Sequence, residues 1–200
     1  MAHGHGHDEH EHGDDEHEHD GDELEPAEVE RELRRRHALA QIRQYGDPAL
    51  RMRAQEIGEI DDELRRLAAR MTELMHDAQG IGLAANQVGI VRRFFVCTLD
   101  GEDRAIVNPT IAKAGGATET DDEGCLSLGP VRVPVERPTE VTLEGTDLDG
   151  QPLRLELEGI DARIVQHELD HLDGTLIVDR TDAASRREAL RALRPRLVLQ

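Results

Sequence analysis

Two hundred residues suffice for one domain with a substantial core. The formal charge of −19 is concentrated at one end: residues 1–30 hold 13 of the 43 acids and none of the 24 bases, leaving 30 acids against 24 bases over residues 31–200, a net of −6. That balance argues against general nucleic-acid binding, which needs a basic surface, and the longest uncharged window, Ala78 to Val91, falls short of the roughly 20 apolar residues that span a bilayer.

The start of the chain lacks a basic region followed by an apolar run, so it reads as having no secretory signal. Two cysteines, Cys97 and Cys125, in such a chain point to a reducing compartment and to metal or catalytic use rather than a disulfide. The expected location is the cytoplasm. Nothing in the composition demands more than a monomer.

In chain order, residues 1–25 form a His/Asp/Glu-rich tail, with nothing but His, Asp, Glu and Gly from His3 to Glu23; it cannot bury enough apolar area to offset its chain entropy, and disorder is expected there. Seven of the eleven histidines lie in it. A loose metal-gathering tail and a solubilising leader both fit, and neither gives these histidines a catalytic role. Residues 26–42 read as a connecting helix, followed by a turn at "YGDPAL" (45–50). Leu64, Leu67, Ala68, Met71, Leu74, Met75 and Ala78 recur at helical spacing behind Asp61 and Asp62, which suit a helix start. "VRRFFVCTL" (91–99) reads as a strand, and "AIVNPTI" (105–111) as a second one stopped by Asn-Pro. "EVTLEGTDLDGQPLRLELEG" (140–159) alternates on both sides of "LDG", a hairpin with an Asp-Gly turn. A helix from about Ile160 to Leu172 and a short terminal helix over 182–194 complete an α+β chain.

The chemistry lies in the penultimate helix. Ile164, His167, Glu168 and His171 share one face, so the histidines point inward with an apolar residue. Imidazoles at i and i+4 can reach one metal, with the adjacent glutamate free to handle protons. A pair of surface histidines on an acidic helix is the plainer alternative. A protease-type third ligand should follow downstream, but no histidine follows His171, and Glu188, on the basic terminal helix, is the only later glutamate. Upstream, Cys125 in the polar loop "EGCLS" offers a soft thiolate, and two His plus one Cys leave a tetrahedral position open. Cys97, within "FFVCTL", suits a buried apolar role instead.

"GIGLAANQ" (80–87), "EGCLS" (123–127) and "HELDH" (167–171), in that order and spacing, resemble the three signature motifs of the peptide deformylase family. "IRQYGDPALR" (42–51), "IVNPTI" (106–111) and "ERP" (136–138) resemble further family stretches, so the likeness spans roughly residues 40–182. One departure stands out: the family's proline two residues past the motif serine is Gly129 here, with Pro130 one later.

The resemblance implies antiparallel sheets around a central metal-binding helix. It divides the chain into a tail (1–25), a connecting helix (26–42), a catalytic domain (43–182) and a C-terminal helix and tail (183–200). It implies a metallohydrolase that removes the formyl group from the formyl-methionine of newly made proteins by a metal-bound water, an N-terminal processing step of protein biosynthesis. Cys125, His167 and His171 would be the ligands and Glu168 the general acid/base, as the residues alone had suggested. Gln87 and the Leu126 N–H would serve the oxyanion, and Gly80, Ile81, Gly82 and Gly124 the substrate. The implied ion is one Fe(II) per chain, with zinc suited by the same ligand types. Ile160 and Ile164 join Ile81 as candidate walls of an apolar pocket. Formylated nascent peptides would be the partners. The arginines at 186, 187, 191, 194 and 196 read first as a solvated helix face, with transient ribosome contact, known for some members, as the alternative.

Overall fold

The computed structural model of the chain describes Met1 and residues 25–194. The tail's histidines and Arg196 lie outside the described residues. Helix α1 (Pro26–Leu39) starts with proline at a position whose N–H has no intrahelical partner, and it ends three residues before the predicted boundary. Helix α2 (Asp62–Asp77) is capped as its sequence suggests, Asp61 accepting from the Leu64 N–H at 2.7 Å. The apolar stripe of α2 buries Leu64, Ala68, Met71 and Met75 against Ala38, Phe94 and Val96.

Among the described residues five strands form one antiparallel meander in chain order: β1 (Gly82–Ala84), β2 (Phe94–Leu99), β3 (Glu102–Gly124), β4 (Arg132–Thr146) and β5 (Pro152–Glu158). Asn108-Pro109 predicts a stop to the second strand; β3 instead runs for 23 residues. A bulge absorbs the proline: Asn108 adopts φ +48, and pairing with β4 resumes at Thr110 after a register shift. The Asn108 side chain secures the detour, accepting from the Ile57 N–H at 2.9 Å and donating to the Ile57 carbonyl at 2.8 Å. The β4–β5 turn is held by Asp147, whose Oδ1 accepts from the N–H groups of Asp149 and Gln151 at 2.9 and 2.8 Å.

Helix α3 (Gly159–Leu172) follows β5 directly and lays Ala162, Ile164, Val165 and Leu172 onto Phe95, Cys97, Ile106 and Leu143 of the sheet. Cys97 is fully buried in this apolar layer, as expected. Two short helices close the described chain: α4 (Ile177–Arg180) and α5 (Ala183–Ala192), the latter capped by Asp182 and anchored through Ala189. Arg186, Arg187, Arg191 and Arg194 are exposed, with Arg186 paired to Asp179 at 3.2 Å. Among the described residues no helix is long and apolar enough to cross a membrane.

Candidate metal centre

Three segments distant in sequence meet beside α3. The helix turns Glu168 and His171 fully inward, at 4 % and 1 % exposure, and leaves His167 partly open. Cys125 follows the last residue of β3 and is itself only 9 % exposed, its chain packed among Leu50, Leu128 and Val131. The loop expected to be polar is thus an apolar seat for one sulfur. Donor atoms of Cys125, His167 and His171 lie within 4.8 Å of one another, and His171 Nε2 stands 3.2 Å from the sulfur. Among the described residues this is the one cluster of three or more His, Cys, Asp or Glu donors that could hold an ion.

A buried ionic chain fixes this geometry. His167 Nδ1 lies 3.0 Å from Glu123 Oε2; a carboxylate there can only accept, so Nδ1 carries the proton and Nε2 is left for coordination. Arg137 donates to both Glu123 oxygens, at 2.6 and 2.9 Å, and to Asp170 at 2.9 Å. Arg163 adds a third guanidinium contact to Glu123 at 2.8 Å. Burial opposes the charge on Glu123, but the Arg137 and His167 hydrogen bonds win and hold its carboxyl well below the usual range. Burial likewise opposes a proton on His167, yet contacts with Cys125 and Glu123 hold its pKa well above the ordinary value, whereas burial and the charge on His167 push His171 well below it.

Glu123, Arg137 and Asp170 are functional residues that the metal-ligand pattern of the sequence does not mark, although they lie within "EGCLS", "ERP" and "HELDH". A signal existed. Along "VRVPVERP", period-two alternation buries Val131, Val133 and Val135, and its next inward position is Arg137. A cation on a buried face requires buried anions.

Burial pushes the Glu168 carboxyl up to about 7, against the pull of charged His167 and Arg137. Its Oε2 is buried with no hydrogen-bond partner among the described residues. A Cβ added at Gly82 would overlap this carboxylate, and one at Gly80 would stand 2.8 Å from Leu126 Cδ1, so the two glycines let the β1 segment close over the site. Gln87, in the turn just after β1, is fixed by the end of that strand: Oε1 accepts from the Ala84 N–H at 2.8 Å, which turns Nε2 toward Ser127 Oγ at 3.1 Å and Cys125 Sγ at 3.7 Å.

A cleft of about 740 Å³ brings Gly80, Ile81, Gly82, Gln87, Gly124, Cys125, Leu126, His167 and Glu168 to one surface, while His171 sits behind it. Ile81 and Ile160 line the cleft as exposed apolar side chains, and Ile164 lines it from a buried position. At the family departure, Gly129 adopts φ +58, a conformation that suits glycine, and Pro130 follows it without disturbing Cys125. The donor set fits a divalent cation: one thiol, two imidazoles, a buried proton acceptor alongside, and an open cleft in front.

Known proteins share both sequence and fold. The profile of the polypeptide deformylase family matches residues 39–187. "Peptide deformylase 1" of Corynebacterium efficiens is 45 % identical over 157 residues, covering 76 % of this chain and 93 % of the relative. The peptide deformylase of Thermotoga neapolitana is 44 % identical over 145 residues, covering 72 % and 88 %. Among solved structures, a peptide deformylase from Synechococcus elongatus in complex with actinonin matches with TM-score 0.72 and 40 % identity, covering 78 % of this chain and 91 % of that one.

Proposed function

We propose, for a chain that belongs to the polypeptide deformylase family, that this enzyme removes the formyl group from the N-terminal formyl-methionine of newly made proteins in the cytoplasm. The observation that carries this reading is the convergence of Cys125, His167 and His171 within 4.8 Å, beside an unpartnered buried oxygen of Glu168. Those three residues would hold one Fe(II) per chain, with zinc the alternative that the same donors accept. When bound, such an ion acidifies water and polarises the carbonyl of a formyl amide.

The chain's own groups do the rest. Glu168 takes the proton of the attacking water and delivers it to the departing amine. A carboxyl near 7 suits both transfers at neutral pH. Charge developing on the formyl oxygen is met by the Gln87 amide and the Leu126 N–H. Because the Ala84 contact fixes the Gln87 amide orientation beforehand, little reorganisation accompanies that charge. The C–N bond then breaks, releasing formate and a free N-terminus. Gly80, Gly82 and Gly124 admit the substrate backbone, and Ile81, Ile160 and Ile164 form the wall for the methionine side chain.

A metallopeptidase built on the same histidines would need another third donor. The sole cluster among the described residues that includes both histidines uses Cys125, which favours the deformylase reading. The test is an anaerobic assay on a formyl-Met-Ala-Ser peptide beside its acetylated and internal-bond analogues. Turnover confined to the formylated peptide is expected. Cleavage of internal peptide bonds instead would overturn the assignment.

A further inference from the structure

The family match begins at residue 39, so α1 lies almost wholly ahead of it. Yet Arg35 and Leu39 of α1 line the same cleft as Cys125, His167 and Glu168. This placement is firmly set. Ala38 is buried in the core that holds Leu64 and Met71 of α2. Just past α1, the Arg43 N–H donates to the Gln87 carbonyl at 2.7 Å, Gln44 Nε2 to the Leu126 carbonyl at 3.2 Å, and the Tyr45 N–H to the Ser127 carbonyl at 2.8 Å. The end of α1 is therefore tied to the two loops that carry the proposed oxyanion donors.

Arg35 differs from the other cationic side chains of the cleft. Arg163 is committed to Glu123, Val135 and Glu119, and Arg132 donates to the Asp122 carbonyl. Among the described residues, the only carboxylate within 4 Å of Arg35 is Glu32 on the same helix, at 3.8 Å. Both side chains are open to solvent, at 38 % and 52 % exposure, and such pairs hold their members weakly. The cleft, at about 740 Å³, has the size that encloses a ligand larger than a single residue. Its wall on the α1 side thus presents a guanidinium, a donor of several hydrogen bonds, to whatever chain extends beyond the reacting residue.

We propose that Arg35 binds the substrate peptide downstream of its formyl-methionine by donating to an oxygen acceptor there, so that α1 forms part of the substrate site. The inference rests on the deformylase reading. The acceptor is a main-chain carbonyl or an acidic side chain, and peptide design separates the two.

The experiment compares three amidated substrates, formyl-Met, formyl-Met-Ala-Ala-Ala and formyl-Met-Ala-Asp-Asp, on the wild-type holoenzyme, Arg35→Ala, Arg35→Lys and Arg36→Ala. Arg35→Ala is expected to raise KM about tenfold on at least one tetrapeptide, the effect of one hydrogen bond from a charged donor. Its kcat, and its kcat/KM on formyl-Met amide, should stay within about twofold, Arg35→Lys should recover part of the loss, and exposed Arg36→Ala should match the wild type. A rise on both tetrapeptides identifies the carbonyl acceptor; a rise on the aspartate peptide alone identifies the carboxylate. Unchanged KM throughout, or an equal loss on formyl-Met amide, overturns the inference. A wild-type enzyme inactive on all three overturns the deformylase reading itself.

Discussion

Glu168→Gln is expected to retain its metal and to lose turnover by about 10³-fold, the scale of a positioned general acid/base. Glutamine preserves the shape that Gly82 accommodates, so the fold and the three donors, within 4.8 Å of one another, have no reason to shift. What disappears is the ability to accept a proton. The wild-type carboxyl, buried at 4 % exposure with one oxygen unpartnered, is built for that purpose. Metal content and kcat measured on one preparation separate this loss from a binding defect. Near-normal kcat would remove Glu168 from the mechanism.

Arg137→Ala is expected to destabilise the fold by about 3–5 kcal/mol, because it removes the buried cation shared by two buried carboxylates, Glu123 and Asp170, and leaves them to the more exposed Arg163 and Arg180. For a chain of this length that corresponds to a fall in Tm of roughly 6–20 °C. Thermal unfolding of wild type and variant in the same buffer reads it directly. The same substitution loosens the Glu123 contact that orients His167, so weaker metal retention should accompany the lower Tm. A Tm within about 2 °C of wild type would mean that the buried ionic chain adds little to stability.

The parts of the fold legible from sequence were those with strong local periodicity. The α2 stripe behind Asp61 and the hairpin around "LDG" formed where their patterns placed them. At 105–111 Asn-Pro predicts a stop by local rules, whereas the long-range contact of Asn108 with Ile57 turns it into a bulge. That contact joins residues 51 apart in sequence, and no local rule sees it.

The same division holds at the candidate site. Cys125, Glu168 and both helix histidines were visible because metal chemistry has characteristic residue types and spacing. Their support, Glu123, Arg137 and Asp170, draws on two strands and a helix, and only the inward phase of Arg137 on β4 hinted at it. Arg35 carried no signal at all. Its part in the cleft depends on how the segment after α1 is hydrogen-bonded to Gln87, Leu126 and Ser127.

The most direct test of the central claim is the metal content of Cys125→Ala, set against deformylase turnover in the same anaerobic sample. Removing the sulfur leaves His167 and His171 in place on α3 but takes away one of three donors, so both the bound ion and the activity should fall together, from one ion per wild-type chain to a small fraction. A variant that keeps a full equivalent of metal and its turnover would contradict the account, and the third donor would have to be sought elsewhere.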